Sequence, residues 1–420
     1  MKTRGLADLL LLLMVPSLFY GCVKETYIIS NPEKEVFNFV VTEAQRLQIN
    51  ESRGEQYKIT DPVPDLYFAG DIYSIDRFEI RGDNTVNFAR KGFGVNMGRK
   101  LSLLNPLEQL VRKYEEFKLL AMVYDYTYIE NSIATGLFRE VSLWPVYSFF
   151  TEVRLNDHTQ GLYHFIEDPV EYFIEQKQAT FVVRRGYDHV VKGFYMNPDF
   201  RQNEEEYYNR LDKIYSTLTE YSGRQMYDTL SAYMDIEQYF TKLSIDLLIK
   251  NGDYTDEIFF YSTIRDDSEV LGVFPWDYDD IFAGQPHEIG NEWAPGTLFG
   301  TREYFSMDDI VADVGSKLLY SIEDDLDYKI AKDSLIYQEY LKTLRTIIEK
   351  IDLATIDRVF DYTYDHIGPF YSNDEIINQS KYDVDETDYD LFVTNLADKR
   401  QMLKERRNWI FQELDKQQNR

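Results

Sequence analysis

Residues 251–282 read NGDYTDEIFFYSTIRDDSEVLGVFPWDYDDIF, and their folding decides how the rest of the chain is to be understood. Two short apolar runs, 258–264 and 270–274, flank the acidic turn Arg265-Asp266-Asp267-Ser268, a pattern that predicts a β-hairpin. Just upstream, Ile236, Tyr239, Phe240, Leu243, Leu247 and Leu248 recur at helical intervals behind a possible N-cap at Asp235. That helix should run to Lys250 and stop at Asn251-Gly252. A hairpin returns the chain to its starting point. Asp253, directly after the helix, should therefore lie near Asp277, with Asp279 and Asp280 close behind. Phe274 and Trp276, two residues apart, would face the core while Asp277 emerges at the strand end.

Carboxylates that converge in this way repel one another unless a cation sits between them. A hard divalent ion is the usual solution, and Mg²⁺ prefers one or two carboxylates together with phosphate oxygens. Phosphoryl transfer has the same requirement, with one Asp orienting the nucleophile and another holding the metal. The alternative is an acidic, merely solvated surface. Spacing alone leaves both readings open.

Working outward, residues 61–97 alternate like strands, as in Ser74-Ile75-Asp76-Arg77-Phe78-Glu79-Ile80, with a turn cluster at 81–85. Residues 107–123 and 129–138 carry helical spacing, broken at Asp125. Residues 149–155 and 161–167 read as a hairpin, and 181–184 as a further strand. Beyond about residue 205 the pattern is helical, at 307–322, 337–353 and 393–414, with an acidic, Tyr-rich loop over 371–389. The expected class is α+β in two lobes: a strand-rich N-terminal lobe over 59–204 and a mostly helical C-terminal lobe over 205–420 that carries the aspartates.

Lys2 and Arg4 precede a short apolar run, 9–15, which predicts a signal peptide over 1–21. Gly21 before Cys22, the only cysteine, points to lipidation of Cys22, followed by a lipidated tether over 22–58. The protein is then expected in the cell envelope, at the outer membrane or cell surface, held to the membrane by its lipid anchor alone. The chain of 420 residues has a formal net charge of −28. Such a body repels nucleic acid, so any phosphate-bearing ligand needs local cations. The five histidines lack zinc spacing, and no P-loop or nucleophile elbow occurs.

The segments 251–261 and 272–282 resemble the spore coat protein H (CotH) kinase family. Further pieces agree in order: Arg81-Gly82 with Arg90-Lys91-Gly92-Phe93, Tyr124-Asp125 through Asn131, Val153-Arg154-Leu155-Asn156 with 161–167, and the closing 403–409. The resemblance covers roughly residues 60–415. It implies an atypical protein-kinase-like fold that binds ATP with Mg²⁺ or Mn²⁺ between two lobes and phosphorylates Ser-bearing exported proteins. On that likeness Asp253 is the catalytic aspartate, Asp277 the principal metal ligand and Asp279 a second ligand. Arg81 and Lys91 are phosphate-side cations, and Glu167 either contacts the nucleotide or holds a cation. Arg184, in Val183-Arg184-Arg185, replaces the usual Tyr-Lys as a phosphate partner. Asp256-Glu257 stands where the family often has Asn; Glu257 is a possible metal ligand that adds negative charge beside a phosphate. Two other functions fit the same features: a catalytically weak or inactive kinase-like surface or adhesion lipoprotein, and a transferase moving another nucleotide-borne group.

Overall fold

The computed structural model describes residues 28–418 apart from 83, 107–108, 186–192, 204–206, 208, 253–257, 266–267, 287–305, 323 and 379–386. The predicted signal peptide and Cys22 therefore lie outside the described residues, as do Asp253 and Glu257.

The first half is built from β1 (Phe37–Val40), α1 (Glu43–Glu51), β2 (Tyr57–Ile59), β3 (Asp65–Phe68), β4 (Asp71–Arg81), β5 (Gly92–Asn105), β6 (Leu110–Leu120), α2 (Glu130–Glu140), β7 (Ser148–Leu155) and β8 (His158–Glu167). Its strands form one sheet in the order β2-β4-β3-β1-β7-β8-β6-β5. Because β5 also pairs with β4, the sheet closes into a barrel with β2 appended. Closure gathers aromatic rings at the centre. Phe37 lies 4.1 Å from Phe68, 5.6 Å from Phe117 and 5.7 Å from Phe165, and Phe165 stacks on Phe149 at 4.6 Å.

The stretch expected as a tether is, from residue 28 on, part of this barrel. β1 pairs antiparallel with β3 and parallel with β7, so it sits in the middle of the sheet. Its Phe37 and Phe39 are completely buried. α1 is fixed by a capping box, Gln45 N–H donating to Thr42 Oγ1 and Thr42 N–H to Gln45 Oε1, while the Gln45 amide reaches Pro62 O at 2.7 Å. Four alternating residues are too short a signal to stand out in a polar stretch.

Residues 107–123, expected to be helical, instead contain β6. Tyr114 and Phe117 are both buried three positions apart, which mimics a helix. The cause is an irregularity in β5: Asn96 opposes Glu116, yet Leu101 opposes Tyr114. The extra residues on β5 restore the inward direction after an odd step on β6.

Past β8, a helical turn at Pro169–Glu171 leads to β9 (Phe181–Arg184), β10 (Gly193–Met196), α3 (Arg210–Glu220), α4 (Gly223–Tyr233) and α5 (Ile236–Ile249). There follow β11 (Ile258–Arg265), β12 (Ser268–Pro275), α6 (Met307–Val314), α7 (Asp325–Lys332), α8 (Ser334–Lys350), α9 (Leu353–Ile367) and α10 (Tyr389–Gln418). A second, antiparallel sheet has the order β10-β9-β11-β12. It shares one core with the helices, and α2 contributes Ile133, Leu137 and Phe138 to that core. The division expected at 204 thus falls at the end of β8, because β9 pairs with β11 and β10 with β9, and neither pairs with the barrel. The α+β class and the strand-rich to helix-rich order are as expected.

Two helix ends differ from expectation. α6 stops at Val314 because Gly315 takes φ +78 and turns the chain away. α8 ends at Lys350, and Asp352 starts α9, which periodicity did not reveal, by accepting from Thr355 N–H at 2.7 Å. If the barrel rests on its β1 rings, Phe37→Ala should lower the unfolding free energy by about 3–5 kcal/mol. Urea titration measures this, and a loss below about 1 kcal/mol would mean that β1 is dispensable.

Candidate active site

The hairpin β11–β12 is in register from Ile258 opposite Pro275 to Arg265 opposite Ser268. It returns the chain to the end of α5, as the spacing predicts. Asp235 caps that helix at one end, and Lys250 closes the other in a left-handed conformation, φ +56. The return is clasped by backbone hydrogen bonds: Gly252 N–H to Asp280 O at 2.9 Å, Phe282 N–H to Ile249 O at 2.7 Å and Ala283 N–H to Lys250 O at 3.2 Å. Glycine is favoured at 252, since a Cβ there would lie 1.9 Å from Asp280 Oδ2 and 2.8 Å from Ala283 Cβ. Asp277 itself is left-handed, φ +53, which costs a non-glycine residue about 1–2 kcal/mol.

Asp277, Asp279 and Asp280 line one wall of a cleft of about 1110 Å³ between the barrel and the second sheet. Arg184, Phe259 and Trp276 belong to the same wall, with the Arg184 guanidinium 5.7 Å from the Phe259 ring centre. Trp276 is buried edge-on against Phe259 at 5.7 Å. The barrel wall presents Arg77, Arg81, Glu116 and Lys118. Leu120, Met122, Pro169 and Val170 give the cleft an apolar back, where the chain passes from barrel to second sheet.

Of the cations expected at the phosphates, Arg81 and Arg184 face the cleft and Lys91 does not. Lys91 is buried, with Nζ donating to Val86 O at 2.7 Å and Phe88 O at 2.5 Å, so it braces the turn after Arg81. Glu167 is likewise off the cleft wall. It accepts from Arg112, 3.3 Å, from the Gln176 amide, 2.6 Å, and from Tyr147 N–H, 3.0 Å. The cation it holds is therefore Arg112, beside the Tyr172 ring.

Sequence reasoning missed Lys118, which projects into the cleft from β6 and pairs with Asp168 at 2.7 Å. Strand parity would have found it, since Phe117 and Leu119 on either side point inward. Burial pushes the Asp168 carboxyl up, but Lys118, the Glu171 N–H and Arg81 outweigh it and hold the group below its ordinary range. Glu130, also missed, accepts from Ile281 N–H at 3.0 Å and pairs with Lys399 of α10. It thereby pins the far end of the aspartate loop. Asp125 caps α2 by accepting from the N–H groups of Ile129, Glu130 and Asn131, and burial beside Glu130 pushes it up to about 8.

The donor set suits a divalent ion and phosphate. Three carboxylates give hard oxygen ligands, and the barrel wall opposite supplies cations. Arg81 Nη1, on the cleft wall, is buried with no hydrogen-bond partner. Polar atoms in that state mark places where a bound group would complete the hydrogen bonding. Among the described residues, the one group of three or more carboxylates with oxygens all within 4.8 Å of one another is Glu115, Glu171 and Glu175, where Lys100 already pairs with Glu115 and Glu175; the cleft aspartates would hold an ion by two of their number together with phosphate oxygens.

A family model described as CotH kinase protein matches residues 78–410. The chain belongs to the CotH kinase family. The match begins within β4, just before Arg81, and ends in α10, so Arg81, Lys118, Arg184 and the cleft aspartates all fall within it. Among curated proteins none matches the chain.

Glu171 offers a test of the passage between the two parts. It accepts from the N–H groups of Glu115 and Glu116, and burial pushes its carboxyl up to about 8. Its contribution to stability is full below the unfolded value near 4.5 and is lost as pH rises through about 8. The melting temperature should therefore fall between pH 5 and pH 8, and Glu171→Gln should flatten that slope. An unchanged slope in the variant would exclude Glu171 as its source.

Proposed function

We propose that this CotH kinase-family protein is an ATP- and divalent-metal-dependent kinase that phosphorylates exported or cell-surface proteins. The supporting observation is the opposition of Asp277, Asp279 and Asp280 to Arg81 and Lys118 across one cleft, with Arg184 beside the aspartates on their own wall. The apolar back at Leu120, Met122 and Val170 suits a nucleotide base. Arg81, Lys118 and Arg184 would neutralise the phosphates, the arginines in forked geometry and Lys118 as a point charge oriented by Asp168.

Asp277 and Asp279 are the residues to hold Mg²⁺ or Mn²⁺, with Glu257 as a further ligand. The bound ion would supply neutralisation of charge on the phosphoryl oxygens. Asp253 takes the role that family likeness gives it, accepting the proton of a Ser or Thr hydroxyl. The hydroxyl oxygen bonds to the γ-phosphorus as the bond to the bridging oxygen breaks, and ADP leaves. The protein's charge of −28 argues against nucleic acid as the acceptor, and the family resemblance implies a protein hydroxyl. In this reading, lipid on Cys22 holds the enzyme at the cell envelope. No helix of the described residues is long and apolar enough to cross a membrane.

The test is incubation of the purified protein with γ-labelled ATP, Mg²⁺ and envelope proteins, read by label transfer and intact mass. Phosphate addition is expected, falling on the order of a hundredfold or more in Asp277→Ala and in Lys118→Met. Addition of AMP would replace the kinase with a nucleotidyl transferase. Absence of any transfer, with Asp277→Ala indistinguishable from the parent, would leave an inactive kinase-like surface protein.

A further inference from the structure

The chain after β12 alternates in direction. Trp276 and Tyr278 are buried, while Asp277 and Asp279 line the cleft. The Tyr278 ring packs 4.9 Å from Phe138 of α2, and its hydroxyl donates to Asp246 Oδ1 at 3.1 Å. Asp246 lies on α5, and its other oxygen accepts from Lys242 Nζ at 2.6 Å, one helical turn earlier. All three side chains are withdrawn from solvent.

A buried ion pair contributes little net stability beyond what apolar residues of the same volume would supply. Its use here points to orientation, and its placement agrees. α5 already clasps the segment from Gly252 to Ala283 through backbone bonds at its C-terminal end. The Tyr278 bond ties the same segment to the helix a second time, one turn further in. Lys242 holds Asp246 from one side, so the Tyr278 hydroxyl meets an acceptor with a single orientation. Tyr278 stands between the two cleft carboxylates, and fixing its ring fixes the backbone that carries both.

We propose that Lys242 and Asp246 are positioning residues which, through the Tyr278 hydroxyl, set the direction of the Asp277 and Asp279 carboxylates toward a divalent ion, a role that rests on the phosphotransfer reading above. None of the three touches the substrate. The arrangement works as outer-shell partners of metal ligands generally do, by removing the freedom of the ligand to turn away.

The experiment measures Mn²⁺ binding in the presence of ADP by the loss of the free-ion resonance signal, so it needs no acceptor protein. The parent should bind saturably and Asp277→Ala should not. Tyr278→Phe keeps the ring and removes only the oxygen, and should raise the Mn²⁺ dissociation constant about tenfold. Asp246→Asn, which breaks the ion pair but keeps an acceptor, should move it in the same direction. Tyr337→Phe is the control. It also loses a buried hydroxyl, which accepts from Leu318 N–H at 2.9 Å and donates to Gln417 Oε1 at 3.0 Å away from Asp246 and Tyr278, and it should bind as the parent does. Parent-like binding in Tyr278→Phe, or an equal loss in Tyr337→Phe, would overturn the positioning role alone. A parent protein that binds no Mn²⁺ with ADP would overturn the phosphotransfer reading, and this inference with it.

Discussion

The clasp between Gly252 and Asp280 is the contact on which the site depends. One N–H to carbonyl bond joins the end of α5 to the end of β12, and the Asp280 carboxylate fills the space a side chain at 252 would need. Neither strand of the hairpin could shift register without breaking it, because a one-residue slip would also turn Phe274 and Trp276 out of the core. The rings of Phe259, Phe274 and Trp276 therefore hold the aspartates in place from below. The left-handed Asp277 is tolerated because both its neighbours, Trp276 and Tyr278, are anchored in that core.

The second constraint is electrostatic. A protein of net charge −28 is a poor receptor for an anion unless its cations are concentrated and shielded from its own acids. The cleft concentrates three cations on regular structure: Arg81 at the end of β4, Lys118, held by Asp168, near the end of β6 and Arg184 at the end of β9. Arg77 serves a different purpose on the same wall. It pairs with Glu116 at 3.1 Å and lies 3.6 Å from Glu79, so its charge is spent within the barrel.

What was legible in the sequence follows from how local each signal is. The two hairpins, 148–167 and 258–275, and the capped helix α5 depend on residues within a few positions of one another, and periodicity captured them. β1 escaped because Phe37 and Phe39 acquire meaning only beside β3 and β7, the latter more than a hundred residues away in sequence. The family match begins after β1, so likeness could not supply it either. Lys118 was lost for a linked reason: with β6 taken as a helix, no face of it pointed at the cleft. Lys91 was chosen on likeness, and its burial under the carbonyls of Val86 and Phe88 is a fact of tertiary structure.

Asp168 ties the two parts of the molecule together. It follows β8, where the barrel ends, and its carboxylate accepts from Val170 N–H at 2.8 Å and Glu171 N–H at 3.1 Å at the start of the passage to the second sheet. Its own N–H donates to Glu116 O on β6, and its other carboxylate oxygen takes Lys118. One side chain thus defines the turn between the two cores and the direction of the cleft lysine. Any displacement of the second sheet relative to the barrel strains the Asp168 turn, and through it the Lys118 ion pair. The cation on the barrel wall is in this way referenced to the part of the molecule that carries Asp277 and Asp279. The opposition of charge across the cleft is therefore a property of the junction as much as of either wall.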